Sequence, residues 1–445
     1  MNKLKVLSGL FVMLLALTPF ASFAQDATGP ELNSGDTAWM LTSSLLVLMM
    51  SIPGLALFYG GLVKRNNVLA TLMQTVAVCA VVSLLWPIIG YSLVFTEGTN
   101  AFVGSLDKLL LKGISATSLS GTIPETVFVM FQMTFAIITA ALLLGSVADR
   151  IKFSSVLVFV PLWMLAVYAP VAHWVWGPGG FIGGVGAAEG STGLLGFGFA
   201  LDFAGGTVVH IASGVAGLVA ALVLGKAYDF HDRTPTPANL VMSLIGTGLL
   251  WVGWFGFNAG SALSAGTSAG MAMLVTNTAA ATACLAWIFA EWFHRGKPSV
   301  VGALSGVVAG LVAITPAAGF VGFGASLVIG FAAGIVCFLA CTYLKKWLKY
   351  DDSLDVFGIH GMGGIVGCIL TGVFASSSIA APTGLVEGNS NQLVAQLISI
   401  VIVAAYVAVV TFILIKIVQK VMGLRVPQIA EEEGLDMFLH GETYK

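Results

Sequence analysis

Two acid and imidazole pairs stand inside segments that are otherwise apolar. One pair is Asp202 and His210 in "DFAGGTVVH", and the other is Asp355 and His360 in "DVFGIH". Ionisable side chains are costly inside a membrane, and they commonly mark a path for an ion or a proton. Two histidines at matching places of two segments therefore favour a shared functional site over two isolated core residues.

The spacing gives the members of each pair different roles. Asp202 precedes His210 by eight residues, about 12 Å along a helix, so a straight helix cannot join them by a hydrogen bond. We expect Asp202 at the outer end of its helix, where it either caps free backbone N–H groups or favours a cation. An Asp202→Asn substitution separates these roles because Asn still accepts N–H bonds. Asp355 is expected to cap the start of its own helix at the opposite side.

Two buried, adjacent histidines resist double protonation, because burial and like-charge repulsion both oppose it. One shared proton is therefore expected at neutral pH. Such a pair forms a neutral lining that either passes a small amine or relays a proton.

The composition is that of a membrane protein. Hydrophobic residues are 58% of the chain and charged residues 9%, against about a quarter in an ordinary soluble domain. The net charge of −2 offers no basic excess for nucleic acid. Apolar segments of membrane-spanning length are predicted at 37–63, 68–95, 125–148, 153–176, 200–225, 238–258, 268–293, 298–315, 320–344, 356–376 and 391–421.

The first 24 residues have the pattern of a secretory signal peptide. Lys3 and Lys5 precede an apolar core at 6–17, and small residues precede a cleavage site after Ala24. An uncleaved first helix is the weaker alternative, because this core is shorter than the ~20 residues that a bilayer needs. The predicted division is a cleaved signal peptide at 1–24, a periplasmic N-terminus at 25–36, a membrane domain at 37–421 and a cytoplasmic tail at 422–445.

Basic residues are concentrated in alternate loops, and the positive-inside rule makes those loops cytoplasmic. The mature N-terminus is then periplasmic and the C-terminus cytoplasmic, as a cleaved signal peptide also requires. Five spans separate the fifth span from the tenth, and an odd number turns the two halves in opposite directions. The fold class predicted is an all-α polytopic membrane protein with eleven helices, a five-plus-five inverted repeat and a final long helix.

Small residues within the spans predict close packing of helices. Gly302, Gly306 and Gly310 repeat at intervals of four, which lets helix backbones approach closely in lipid. Cys337 and Cys341 share a helix face but have no third ligand nearby, so we interpret them as packing residues. No metal, cofactor or disulfide is expected.

Several long motifs follow each other in unbroken order. They are "FYGGLVKRNNVL", "DFAGGTVVH", "GWFGFNAGSA", "GKPSVVGALSGVVAGLVAITPAAGF", "DVFGIHGMGGIVG" and the tail "GLRVPQIAEEEGLDMFLHGETYK". This set resembles the bacterial ammonium transporters of the Amt/AmtB type, in the ammonium transporter, methylammonium permease and Rhesus superfamily. The resemblance implies a homotrimer of eleven-helix protomers in the inner membrane. Each protomer would conduct ammonium-derived nitrogen through its own narrow pore, with methylammonium as an analogue.

The resemblance also implies roles for individual residues. Aromatic faces attract a small cation by ~0.5–2 kcal/mol, and a hydroxyl accepts an N–H bond that potassium is unable to donate. The implied set is recruitment by Phe131, Trp176, Ser261 and Asp202, gating by Phe135 and Phe257, and pore lining or proton relay by His210 and His360.

The polar tail beyond Gly423 is either a disordered acidic segment or, as the resemblance implies, an ordered segment regulated by a PII-type signalling protein such as GlnK. The favoured function is ammonium transport, with deprotonation followed by passage of ammonia, with or without separate proton transfer. The alternative is an ammonium sensor that signals through the tail. An intramembrane enzyme is disfavoured, because no HExxH motif or nucleophile elbow accompanies the histidines.

Overall fold

The structure is a computed structural model of the chain, and it describes residues 31–98, 100–187, 191–230 and 236–445. The predicted signal peptide lies outside these residues, as does the first half of the predicted periplasmic segment, residues 25–30. Within the described ranges, ten helices are long and apolar enough to cross a membrane, and one further apolar helix is shorter. In chain order they are α1 (Ser34–Leu62), α2 (Arg65–Phe95), α3 (Glu125–Leu144), α4 (Phe153–Trp176), α5 (Gly206–Leu224), α6 (Leu240–Gly260), α7 (Thr267–Arg295), α8 (Val300–Ile314), α9 (Phe323–Leu348), α10 (Phe357–Phe374) and α11 (Ser390–Met422).

The predicted spans and these helices agree in number and order, and most of their ends agree within a few residues. The start of α5 is the largest error at a helix start: it was predicted at 200, and the helix begins at Gly206. The preceding residues form a loop in which Gly205 has a φ of 115°, a left-handed conformation that residues with a Cβ rarely adopt. The apolar run therefore starts before the helix does.

The remaining elements are short. A two-stranded antiparallel hairpin pairs β1 (Leu119–Ser120) with β2 (Ile123–Pro124) just before α3. We call the face of the molecule that carries this hairpin the outer face, and the face that carries the C-terminal tail the inner face. Single turns of 3-10 helix occur at Leu109–Leu111, Leu194–Gly196 and Leu385–Glu387, and the tail contains α12 (Gln428–Glu433) and a π-helical turn at Asp436–His440.

Matching irregularities in the two halves mark the inverted repeat. Helices α4 and α9 contain a π-helical turn, at Met164–Tyr168 and Ala340–Leu344. Helices α5 and α10 both begin with one, at Gly206–Ile211 and Phe357–Gly361. Helices α3 and α8 each run into a six-residue turn, at 145–150 and 315–320. These elements of α3, α4 and α5 thus recur five helices later, as the five-plus-five arrangement requires. The π-helical turns of α1 and α2, at Met50–Leu55 and Trp86–Gly90, have no counterpart in α6 and α7.

The glycines predicted to pack closely do so against α7. A Cβ added to Gly310 of α8 would lie 2.4 Å from the carbonyl oxygen of Ala279 on α7. A Cβ on Gly330 of α9 would lie 2.5 Å from the same oxygen. Both helices therefore pack backbone to backbone against α7, which is the close approach that small residues permit in lipid.

A buried arginine joins three segments at the inner face. Arg150 has no exposed side-chain surface, and its guanidinium donates to the Asp149 carboxylate at 2.9 Å and to the Ser353 hydroxyl at 2.6 Å. It also donates to the carbonyls of Gly225, at 3.0 Å, and Asp351. The α3–α4 turn, the end of α5 and the α9–α10 loop are held together by this one side chain.

The C-terminal tail is folded against the inner loops. The backbone N–H of Val426 donates to the carbonyl of Arg150 at 3.0 Å. The Asp436 carboxylate accepts the N–H of Ala70 at 2.8 Å, and Asn67 accepts that of Leu435 at 2.9 Å. The tail therefore contacts the start of α2 and the α3–α4 turn.

Candidate functional site

An open cavity of about 420 Å³ enters the protein from the outer face. Its lining includes three of the predicted site residues, Trp176, Ser261 and Phe135. The remaining lining residues are Tyr91, Phe95, Lys108, Leu119, Ser120, Glu125, Phe128, Gln132, Pro178, Val185, Phe203 and Leu263.

Hydrogen bonds hold the cavity residues in place. The indole N–H of Trp176 donates to the backbone carbonyl of Asp202 at 2.9 Å, which fixes the ring at the end of α4. The Ser261 hydroxyl donates to the carbonyl of Phe257 at 2.8 Å. Its oxygen keeps acceptor capacity for an N–H group in the cavity.

Two phenylalanine rings close the inner end of this cavity. The rings of Phe135 and Phe257 are stacked with centroids 4.2 Å apart. Phe131 lies behind them: its ring is 4.9 Å from that of Phe135, its side chain is 1% exposed, and it is not among the residues that line the cavity. Phe131 thus packs against the ring of Phe135. Its predicted part in recruitment stays a prediction, as does the gating predicted for Phe135 and Phe257.

The two histidines meet next to Phe257. Their Nδ1 atoms are 3.3 Å apart and their ring centroids 5.4 Å apart. One nitrogen must donate while the other accepts, so this contact holds a single proton. His210 also stacks on Trp254 at 5.4 Å and lies 6.1 Å from Phe257.

The histidines line a second, much narrower cavity of about 10 Å³, which has room for about one water-sized molecule. Apart from the two imidazoles and the indole of Trp254, the side chains of its wall are apolar. The lining residues are Met50, Leu55, Phe58, Ile138, Leu142, Val209, His210, Leu250, Trp254, Phe257, Val308 and His360.

Asp202 caps the start of α5 and does not line the outer cavity. Its Oδ1 accepts the N–H groups of Gly205 and Gly206 at 2.8 and 2.5 Å. Its Oδ2 accepts the N–H groups of Thr207 and Val208 at 2.8 and 3.3 Å, together with the Thr207 hydroxyl. Of the two roles left open by the sequence, capping is the one that these contacts support.

The prediction that Asp355 caps α10 is wrong. The carboxylate that accepts the first helical N–H, that of Phe357 at 2.8 Å, belongs to Asp352. Asp355 has a φ of 58°, and its carboxylate is bound to Lys345 at 2.8 Å. The loop turns at Asp355 and directs its side chain toward α9, so the nearer aspartate is not the cap.

With Asp352 as the cap of α10, the starts of α5 and α10 match more closely. Asp352 precedes His360 by eight residues, as Asp202 precedes His210. Burial raises the pKa of both carboxyls above the usual value. Hydrogen bonds to the start of α5 oppose the rise at Asp202, whereas the positive charge of Lys345 is the largest opposing influence at Asp352.

The comparison with known proteins agrees with this architecture. The model of the Ammonium Transporter Family matches residues 38–445. The chain belongs to the ammonium transporter family. An ammonium transporter of Aquifex aeolicus is 48% identical over 429 residues, covering 96% of this chain and 97% of the relative.

Solved structures of the family have the same fold. The crystal structure of Saccharomyces cerevisiae Mep2 has a TM-score of 0.80 and 35% identity, covering 89% of this chain and 88% of the other. A sensor Amt protein has a TM-score of 0.82 and 26% identity, covering 91% and 98%. This chain thus matches these structures over about nine tenths of its length. Its described residues form a membrane protein with ten membrane-length helices and one shorter apolar helix.

In this member of the family, α5 and α10 cross where the histidines meet. A Cβ added to Gly214 would lie 2.3 Å from the backbone nitrogen of Gly361, which follows His360. A Cβ on Gly364 would lie 2.9 Å from the carbonyl oxygen of Gly206. The histidines are therefore positioned by two backbones in direct contact.

Sequence reasoning missed two groups of residues in these cavities. Trp254 carries His210 on its face, and its N–H is bound to the Thr315 hydroxyl at 2.9 Å. Its position three residues before Phe257 places both rings on one helix face, which was a usable signal. The second group is the polar wall of the outer cavity, where Glu125 and Gln132 lie seven residues apart on an otherwise apolar helix.

Proposed function

We propose that this protein transports ammonium across a bacterial inner membrane by conducting ammonia through the path between the two cavities. Ammonium is recruited beside Trp176 and Ser261, loses a proton at the phenylalanine gate, and ammonia passes His210 and His360. Membership of the ammonium transporter family supports the substrate, and the geometry supports the route.

The observation that carries the proposal is the unbroken order of groups along one line. The outer cavity ends at Phe135, which stacks on Phe257, which lies next to His210, which contacts His360. A cation in the outer cavity meets an aromatic face and a hydroxyl oxygen, and both favour ammonium over a hydrated metal ion.

The second cavity, which the two histidines line, determines which species pass beyond the two phenylalanine rings. Its wall has no carboxylate or basic amine, so a bare cation there would lose its hydration without a countercharge. A neutral ammonia molecule avoids that cost and exchanges hydrogen bonds with the imidazole nitrogens. Deprotonation before the gate therefore lowers the barrier, and the released proton either returns outward or crosses separately along the histidine pair.

The first test is uptake of radiolabelled methylammonium into proteoliposomes, with protein-free liposomes as the control. We expect saturable uptake by the full-length protein. Current recorded on a supported membrane after an ammonium jump then separates the two proton routes, because sustained current requires a proton to cross with ammonia. Absence of both uptake and current, with ammonium binding retained, contradicts the transport proposal.

The second test replaces both pore histidines. The His210→Leu/His360→Leu protein keeps an apolar path but loses its hydrogen-bonding nitrogens. We expect methylammonium uptake to fall by at least tenfold, or potassium to permeate. Unchanged uptake with unchanged exclusion of potassium would assign the pair a purely structural role.

The sensor alternative is favoured by the fold of the tail, which contacts α2 and the α3–α4 turn directly. Similarity to a sensor Amt protein over 91% of this chain is compatible with it. The uptake experiment decides between them, because a sensor binds ammonium with little flux.

The assembly and orientation are part of the same proposal. We place the C-terminus in the cytoplasm, a homotrimer in the membrane, and a PII-type protein on the inner face beside the tail. A C-terminal reporter fusion tests the orientation, native mass measurement tests the trimer, and co-purification with a PII-type protein tests the partner.

A further inference from the structure

The outer cavity has a charged and polar wall in addition to the proposed aromatic recruitment site. It is formed by Tyr91 at the end of α2, Lys108 in the α2–α3 loop and Glu125 at the start of α3. Glu125 is only 7% exposed, although it lines the cavity. A buried carboxylate requires a cation or several donors nearby.

The cation present at Glu125 is the side chain of Lys108. The Glu125 carboxylate accepts the Tyr91 hydroxyl at 2.7 Å and, on the same oxygen, the ammonium of Lys108. The Lys108 Nζ also lies 5.7 Å from the centre of the Tyr91 ring. A carboxylate and an aromatic face thus hold a primary ammonium group.

These acceptors do not require a lysine. A carboxylate oxygen and a ring face bind any small cation that donates N–H bonds, and free ammonium or methylammonium presents the same chemistry as Nζ. The side chain of Lys108 is 33% exposed, whereas the side chain of Glu125 alone is 9% exposed. The lysine is therefore the more solvent-exposed member of the pair.

The wall is continuous with the path to the gate. Glu125, Phe128, Gln132 and Phe135 all line the cavity and follow each other at intervals of three, four and three residues on one face of α3. Ten residues of helix correspond to about 15 Å between the ends of this face. A cation released at Glu125 has a lined route to the gate.

We propose that Glu125 and Tyr91 form a second monovalent-cation site in the outer cavity, and that Lys108 occupies it as a tethered competitor of ammonium. The pair keeps this wall neutral at rest, so the cavity does not accumulate sodium or potassium through net charge. The inference deepens the proposed transport function, because the site serves the cavity through which ammonium is recruited.

The first experiment compares Lys108→Met, Glu125→Gln and the double variant in methylammonium uptake. Removing the lysine charge frees the carboxylate, so the half-saturating concentration of methylammonium should fall roughly two- to tenfold. Glu125→Gln should raise it by a similar factor, and the double variant should return toward the wild-type value. An unchanged value in Lys108→Met overturns the proposal.

Lys112→Met is the matched control. Lys112 lies on the same loop, is exposed and is not among the residues that line the cavity. The Lys112→Met substitution removes the same charge without freeing Glu125, so methylammonium uptake should stay close to that of the wild type. A shift as large as that of Lys108→Met would show a general field of the loop, which overturns a specific site.

A binding measurement separates this inference from transport itself. Crystals of the full-length Lys108→Met protein soaked in thallium(I) should show anomalous density beside Glu125, and crystals of the double variant should show none. Lack of density in Lys108→Met overturns the site. If wild-type protein shows no uptake, the transport proposal fails while the thallium result still tests the site. If Lys108→Met does not fold, Lys108→Gln repeats both measurements.

Discussion

The starts of α5 and α10 are each capped by an aspartate, but different groups hold the two aspartates. Both helices begin with a π-helical turn, and both have a capping aspartate eight residues before a pore histidine. Asp202 is held entirely by donors of the turn it caps, four backbone N–H groups and one hydroxyl. Asp352 accepts one helical N–H and has Lys345 beside it, whose ammonium donates to its backbone carbonyl at 2.6 Å.

The difference lies in the charge of the groups around each cap. The donors that hold Asp202 are neutral. At the inner end Lys345 bridges the α9–α10 loop and α9, because its ammonium donates to the carbonyl of Asp352 and to the carboxylate of Asp355. The repeat therefore conserves the geometry of the helix start while the charges around it differ.

The largest effect is expected from Asp202→Ala. The substitution leaves four N–H groups and a hydroxyl without their acceptor in a buried site, at a cost of about 3–5 kcal/mol. We expect loss of methylammonium uptake and a large drop in thermal stability in detergent. Asp352→Ala is the matched control at the other helix start, and it should cost about 1–2 kcal/mol because one capped N–H is lost. Equal losses would remove the distinction between the two ends.

Substitution of each capping aspartate by asparagine tests the same difference between the two helix starts. The sequence suggested that Asp202→Asn would retain the cap, but both carboxylate oxygens accept N–H bonds, so an amide NH₂ would face donors. We expect Asp202→Asn to lose about 2–3 kcal/mol. Asp352→Asn should be milder, because one oxygen still accepts the N–H of Phe357. Thermal unfolding of the two variants measures this, and a tolerated Asp202→Asn would contradict the observed cap.

The loss of stability caused by Lys345→Met should depend on pH. The start of α5 offers no matching substitution, because the donors that hold Asp202 are neutral. The lysine charge lowers the pKa of Asp352, which burial raises, so its removal raises that pKa further. A carboxyl whose pKa is higher in the folded state than in the unfolded state binds more protons when folded, so stability falls as pH rises. We expect a loss of about 1–2 kcal/mol at pH 7 and a smaller loss at pH 5. A larger loss at pH 5 would reverse the assigned sign.

The smallest effect is expected from Lys64→Met at the inner face. Lys64 and Asp229 form an ion pair at 2.5 Å whose side chains are 32% and 40% exposed. Such a pair contributes at most about 1 kcal/mol, and salt weakens it. Thermal stability should change little and uptake should not change. A loss comparable with that of Lys345→Met would show that exposure does not separate the two lysines.

The sequence was sufficient for the helices and insufficient for their first turns. Apolar length identifies a span because the bilayer sets it, and this gave the number and order of the helices. The same signal placed the start of α5 six residues early, because the residues before Gly205 are apolar whether or not they are helical. Hydropathy does not report backbone conformation.

The meeting of the two histidines was predictable, and the capping aspartate before the second one was not. His210 and His360 are costly in an apolar helix, so type and position were informative. Asp352 and Asp355 are both aspartates before a helix, and only the reversal of the chain at Asp355 decides which of them faces the N–H groups. The eight-residue spacing between the capping aspartate and the histidine, which Asp202 and Asp352 share, was the better criterion for identifying the cap.

The contact between Gly214 and Gly361 limits which side chains the crossing of α5 and α10 accepts. The separation of α5 and α10 is set by main-chain atoms, so no side chain at the crossing is available to be trimmed. The smallest enlargement, a single methyl group, already exceeds the space between the helices. The spacing of the two backbones beside His210 and His360 is thus fixed by main-chain contact, and the width of the cavity next to them can change only through other lining side chains, such as Phe257.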